Sequence, residues 1–261
     1  MNTSLMLAFG TPAGELVRAG VLLVAFGQVL LTAEIWHRRA NPPVEWTRKL
    51  VHLGFGALAA PLPWFIASPW TVLGIAVLAV GPILWARRRG LLTSLFGVER
   101  SSHGEVYFAM GVVLLFLVGR REPVFYLISM FTLVVCDSLA ALLGKAYGRH
   151  RYLVTSERRS LEGSAVFLIS AFVGIHLALL LLTNIERGAC VLVALELALL
   201  VTSLEAISAG GSDNLTVPIA TYYLLVMLTP KPVDSVAPQL GVELAGWPLH
   251  FPWLHVEWVF Q

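Results

Sequence analysis

The chain has 261 residues, 57% of them hydrophobic and only 13% charged, with a formal net charge of +2. Soluble domains carry about 25% charged residues. Here the apolar residues gather into long runs with a mean hydropathy of +0.77, which excludes an ordinary water-soluble globule and points to an all-α, polytopic membrane bundle. The small net charge says little by itself, and no nucleic-acid partner is expected. Both cysteines, Cys136 and Cys190, fall inside apolar runs, so no disulfide framework is implied.

Eight apolar runs follow one another at about 16–35, 50–67, 69–86, 105–119, 123–144, 163–183, 188–207 and 214–229. They make a single integral membrane domain over 1–261 with about seven or eight spans. The first basic residue, Arg18, comes late and the first run is long for a signal-peptide core, so no cleavable signal is expected. The second run opens with Arg48-Lys-Leu-Val-His52, in which Arg48 and His52, four apart, share a helix face. The fourth run follows Ser101-Ser-His-Gly and begins with Glu105, in a first turn where the helix dipole favours an acid. The fourth and eighth runs are short for a bilayer of ~30 Å. A Pro- and Trp-rich tail, 230–261, with Trp247, Trp253 and Trp258, has the character of an interfacial segment on the outer face.

Lys and Arg separate the loops by side. The odd-numbered loops hold thirteen of the eighteen: Arg38, Arg39, Arg48 and Lys49; Arg87, Arg88, Arg89 and Arg100; Lys145, Arg149, Arg151, Arg158 and Arg159. The even loops hold Arg120, Arg121 and Arg187. By the positive-inside rule the odd loops are cytoplasmic and the N-terminus lies outside. The same assignment gathers every polar motif at the cytoplasmic face, although it used none of them except for their cations.

The fifth run holds Asp137. An acid inside an apolar span is costly and marks a functional site. Asp137, Ala141, Gly144 and Gly148 are spaced four, three and four, so they line one helix face along which a neighbour can approach closely. The plain alternative is a packing stripe with its Asp bonded to another helix. The sharper reading makes Asp137 a Mg²⁺ ligand or the base that activates a hydroxyl. Five cations follow within fifteen residues, from Lys145 to Arg159, and lead into Ser160-Leu-Glu-Gly-Ser164. Positive-inside topology alone accounts for any one of them. With Ser160 capping the sixth span, Glu162 in its first turn and Gly163 open to close approach, the segment also suits a phosphate. Glu205 and Gly210-Gly-Ser-Asp-Asn214 form the seventh loop. There Gly211 and Asn214 can approach a phosphate or hydroxyl, and Asp213 can share a metal with Asp137. Glu196 and His176 lie deeper in their helices without an evident partner.

Four motifs in this order resemble the membrane-embedded polyprenol kinases, which include dolichol kinase, phytol kinase and the CTP-dependent diacylglycerol kinases and are related to the CDP-diacylglycerol synthases. They are Arg48-Lys-Leu-Val-His52; Gly104-Glu-Val-Tyr107; Asp137-Ser-Leu-Ala-Ala-Leu-Leu-Gly-Lys145 with Gly148; and Arg159-Ser-Leu-Glu-Gly-Ser164 completed by Asp213-Asn-Leu-Thr-Val-Pro218. Together they cover 48–218. Two positions depart: Cys136 stands where the family usually has Gly, and Arg159 where it usually has Lys.

The resemblance implies transfer of the γ-phosphoryl of a nucleoside triphosphate, typically CTP, to a lipid alcohol with Mg²⁺, among membrane lipids. The alcohol would be a polyprenol type such as phytol, geranylgeraniol or dolichol. It implies Asp137 and Asp213 as metal ligands with Glu162 or Glu205 assisting, and Arg48, Lys49, Lys145, Arg158, Arg159, Ser160, Gly163, Ser164, Gly211 and Asn214 around the nucleotide. His52 and Glu105 would orient or deprotonate the alcohol, with Glu205 also in the catalytic group. Rival readings are diacylglycerol phosphorylation, a cytidylyltransferase forming a CDP-lipid and, outside enzymes, a transporter.

Overall fold

The computed structural model describes residues 11–90, 103–154 and 157–229. Arg100, Ser101, Ser102 and the tail 230–261 therefore lie outside the described residues. Helices occupy all eight predicted runs. α1 (Pro12–Ala40) is capped by Thr11, whose Oγ1 accepts from the Gly14 amide at 3.2 Å, and it stops at Asn41 in the left-handed region. α2 (Val44–Ala59) begins six residues before the predicted run. The predicted 50–67 span does not continue through: Pro61 ends it, and a short α3 (Leu62–Phe65) follows. A proline ring cannot supply the next ladder hydrogen bond and clashes with the preceding turn. α4 (Pro69–Arg88) and α5 (Gly104–Gly119) complete the first half.

The fifth run is not one regular helix. α6 (Pro123–Phe131) passes through a π-turn at Thr132–Cys136 into α7 (Asp137–Tyr147). The fifth loop holds an antiparallel hairpin of β1 (Arg151–Val154) and β2 (Glu157–Ser160), with Tyr152 opposite Arg159, which the all-α expectation did not include. It is the one departure from an all-helical chain among the described residues. α8 (Leu161–Leu182), α9 (Arg187–Ile207) and α10 (Asp213–Leu228) follow. Among the described residues five helical segments are long and apolar enough to cross a membrane: α1, α4, α6–α7 taken as one, α8 and α9. α5 and α10 are shorter apolar helices of 16 residues each.

The α6–α7 segment is the centre of the bundle. Half of it is buried, against 17% of α1. Tyr126, fully buried, donates its hydroxyl hydrogen to the Ala59 carbonyl at 3.0 Å and ties α6 to the end of α2. Thr132 and Thr221 share a buried hydrogen bond that ties the π-turn to α10. On the other side α7 packs on α8 at the glycine stripe read from the sequence. A Cβ on Gly144 would lie 2.9 Å from Gly163 Cα and 3.0 Å from Ser160 Oγ. Only two glycines facing each other let the backbones come so close. That contact places the start of α8 beside Asp137's helix.

Candidate functional site

The π-turn ends where Asp137 begins α7. Such a widened turn loosens the regular ladder and recurs at functional sites. Here the carbonyl of Leu133, inside the turn, faces His52 Nε2 of α2 at 3.1 Å. A carbonyl oxygen only accepts, so Nε2 carries the hydrogen and Nδ1 is the ring's acceptor. The same Nε2 lies 3.6 Å from Asp137 Oδ2, and Lys49 Nζ donates to that oxygen at 2.5 Å. One turn of α2 thus delivers Lys49 and His52 to the carboxylate of α7.

Two further carboxylates join it. Oxygens of Asp137, Glu205 and Asp213 lie within 4.8 Å of one another. Glu205 comes from the last turns of α9 and is only 5% exposed. Asp213 opens α10 after a turn in which Gly210 and Gly211 take φ of 67° and 86°, a conformation that side chains with a Cβ seldom adopt. Arg159, from β2, bridges both. It ion-pairs with Glu205, reaches Asp213 Oδ2 through Nη2 at 3.1 Å, and donates to the Ser208 carbonyl at 2.9 Å. Its Nε is buried and lacks a hydrogen-bond partner, so the guanidinium has capacity left. Three carboxylates against Lys49 and Arg159 leave a negative balance in a half-buried place, which attracts a cation. The donors of the cluster are all carboxylate oxygens, the set that suits Mg²⁺.

The anion side lies next to it. Ser160 Oγ accepts from the Gly163 amide at 3.1 Å, the cap read from the sequence, and donates to the Gly144 carbonyl at 3.3 Å. Ser164 Oγ pairs with the Tyr152 hydroxyl at 2.7 Å. Lys145, Arg151 and Arg158 are exposed, and none has an ion-pair partner among the described residues. Arg48 is held loosely by Glu45 at 3.5 Å.

A single cavity of about 490 Å³ joins these groups. Its polar end is lined by Arg48, Lys49, His52, Glu105, Asp137, Lys145, Arg158, Arg159, Ser160, Gly163, Ser164, Glu205, Gly211, Asp213 and Asn214. Those are all the expected site residues but one. Glu162 stands apart: its carboxylate accepts from the amide of His150 at 3.1 Å and pairs with that ring at 2.8 Å. Glu205 occupies the third place in the carboxylate cluster instead. Glu105 lines the cavity outside the cluster, paired with Arg87 at 2.6 Å, and so links the end of α4 to the start of α5. Asn214 donates from Nδ2 to the Gly211 carbonyl at 3.2 Å and braces the turn that carries Asp213. Tyr152 and the Leu133 carbonyl were not among the expected groups. The signal for the strand was composition: aromatic Tyr152 and β-branched Val154 are strand-favouring residues.

From the polar end the cavity continues as an apolar arm between α1, α2, α4 and α5, lined by Phe55, Ala59, Val72, Ile75, Ala76 and Ile83 among others. Val72 and Ile83 are eleven residues apart on α4, so the arm runs ~16 Å along that helix. Polar chemistry at one end and a greasy slot at the other describe a site for an amphipathic molecule.

Comparison with known proteins gives a relative of the same character. A phytol kinase from Synechocystis sp. is 35% identical over 210 residues, which cover 78% of this chain and 88% of that protein. No protein-family model matches the chain, and no solved structure matches it.

Proposed function

The chain belongs to the polyprenol and phytol kinase family and is a kinase with an alcohol acceptor, and from that premise we propose that it transfers the γ-phosphoryl of CTP to a prenyl alcohol at the cytoplasmic face of a membrane. The observation that carries this is the one cavity that joins the carboxylate–cation cluster to the apolar arm. The prenyl chain lies in the arm with its hydroxyl toward Asp137 and His52. The exposed cations Lys145, Arg151 and Arg158, with the capped start of α8, take the triphosphate. The concentration of Lys and Arg in the odd loops supports the cytoplasmic placement.

Phosphoryl transfer asks mainly for positioning and charge neutralisation. The alcohol oxygen forms a bond to the γ-phosphorus, the bond from that phosphorus to the β-bridging oxygen breaks, and the nucleoside diphosphate leaves. The hydroxyl proton passes to the Asp137–His52 pair, whose mutual placement is fixed by Lys49 and the Leu133 carbonyl. Asp137, Glu205 and Asp213 would hold Mg²⁺, which when bound screens the phosphate charge. Arg159 keeps Glu205 and Asp213 together, and Glu105 fixes the α4–α5 corner that borders the hydroxyl's position.

The test is a panel of CTP, ATP and UTP against phytol, geranylgeraniol, dolichol and diacylglycerol with purified protein. The expected products are CDP and the prenyl monophosphate. Pyrophosphate with a CDP-lipid would replace this reading by a cytidylyltransferase, and phosphorylation of diacylglycerol alone would replace the acceptor. The arm adds a second expectation. Ala76→Phe puts a ring into the slot, so kcat/KM for phytol should fall roughly tenfold or more while a shorter prenyl alcohol loses less.

A further inference from the structure

Glu196 is left over by the site. It stands near the middle of α9, nine residues beyond Arg187 and eleven before Ile207. That puts it ~14 Å and ~16 Å from the two ends. The helix is long and apolar enough to cross a membrane, and Glu196 is exposed on it. No hydrogen-bond or ion-pair partner reaches it among the described residues. His176 of α8 is the other polar group deep in this hairpin. It stacks on Phe172 at 6.0 Å with Nδ1 buried and unpartnered, and makes no ion pair with Glu196. Hydrocarbon offers a carboxyl nothing to bond, and such groups persist in membranes only when paired.

The surroundings of Glu196 say what pairs it. The inward face of α9 buries Cys190, Ala194, Leu197, Val201 and Glu205. The outward face carries Leu192, Glu196, Leu199 and Ser203, spaced four, three and four, all exposed. This is the seam spacing of two helices packed at a small crossing angle. Ser203 is satisfied within its own helix, donating to the Leu199 carbonyl at 2.8 Å. Glu196 is the one group on the stripe that still needs a bond.

We propose that this stripe is the seam of a homodimer, with Glu196 hydrogen-bonded to Glu196 of the partner subunit. A twofold axis along the membrane normal returns every residue at its own depth, so the stripe packs on itself. A carboxyl group acts as acceptor and, when protonated, as donor, so the pair closes its own hydrogen bond. No other chain has to supply a group at that depth. Glu205, nine residues further along α9, faces inward in each copy, so the kinase site of each copy stays intact.

The experiment combines oligomeric state in lipid nanodiscs with cysteine crosslinking in native membranes. Wild-type protein is expected to be a dimer. Glu196→Gln keeps it, because an amide pairs in the same way, while Glu196→Leu raises the dissociation constant roughly threefold to thirtyfold. Phosphorylation by the Leu variant should stay at the wild-type rate, which shows that it is folded. Leu192→Cys and Leu199→Cys should each crosslink to themselves under oxidation. Leu177→Cys, on the outward side of α8, should not, and the native Cys136 and Cys190 are buried. A monomer at all concentrations overturns the proposal, including one whose Glu196 is shielded by another segment of its own chain. So does equal crosslinking at 177 and 192, or a Leu variant that dimerises like wild type.

Discussion

Asp137→Asn yields a folded protein whose rate of prenyl phosphorylation falls by about a thousandfold or more, a loss of the size seen when one group aimed at developing charge is removed. The substitution keeps shape and one acceptor oxygen, so the 2.5 Å contact from Lys49 can persist as a weaker bond. What disappears is charge. The cluster with Glu205 and Asp213 drops from three carboxylates to two, and those two are already committed to Arg159. His52 loses the anion beside its Nε2. Initial rates of lipid monophosphate formation measure the chemistry, and thermal unfolding in the same lipid measures the fold. Because the variant removes the countercharge of Lys49, the double change Asp137→Asn with Lys49→Met separates the two effects. Stability should recover in the double variant while turnover does not. Near-wild-type turnover by the single variant would remove Asp137 from the mechanism.

The site was largely legible because its residues break local rules. An acid in an apolar run, glycines at helical spacing and a Ser-x-x-Gly start to a span each contradict what a lipid-facing helix wants. Gly144 does meet Gly163, Ser160 does cap α8, and the pair Gly210-Gly211 does turn the chain into α10. The parts that were not legible have tertiary causes. Nothing in Thr132-Leu-Val-Val-Cys136 breaks a helix. The π-turn there coincides with the bond between Thr132 and Thr221 and with His52 reaching the Leu133 carbonyl. The hairpin was hidden because its second strand is Glu157-Arg-Arg-Ser160, a charge run that looks like a loop.

Glu162 and Glu205 show the same limit from another side. Both sit near polar motifs in the chain. Capping directs the first turn of α8 so that Glu162 turns to His150, while the end of α9 buries Glu205 against Arg159. Sequence spacing along one helix does not distinguish these directions, which depend on where the neighbouring element lies.

Arg159 tests the architecture of the site more severely than any other cation. Among the described residues it is the one cation that ion-pairs with both Glu205 and Asp213, whose side chains are 6% and 16% exposed. Arg159→Met strands two close carboxylates, and breaking a buried pair from one side costs about 3–5 kcal/mol. A large fall in unfolding temperature is expected, together with loss of activity. Arg159→Lys is the informative comparison, because Lys is the residue the resembling family usually has at this position. An ammonium keeps the charge but is a single point where the guanidinium is a fork. It cannot spread over two nitrogens as Arg159 does, with Nη1 on Glu205 and Nη2 on both Asp213 and the Ser208 carbonyl. The Lys variant should therefore retain most of the stability that the Met variant loses, and its kcat/KM for CTP should fall between wild type and Met. Unfolding of the three proteins in one lipid composition, with CTP kinetics on those that fold, gives the ordering. If the Met variant were as stable as wild type, Glu205 and Asp213 would not depend on Arg159 for their charge balance, and the carboxylate cluster would have to be held by Lys49 alone.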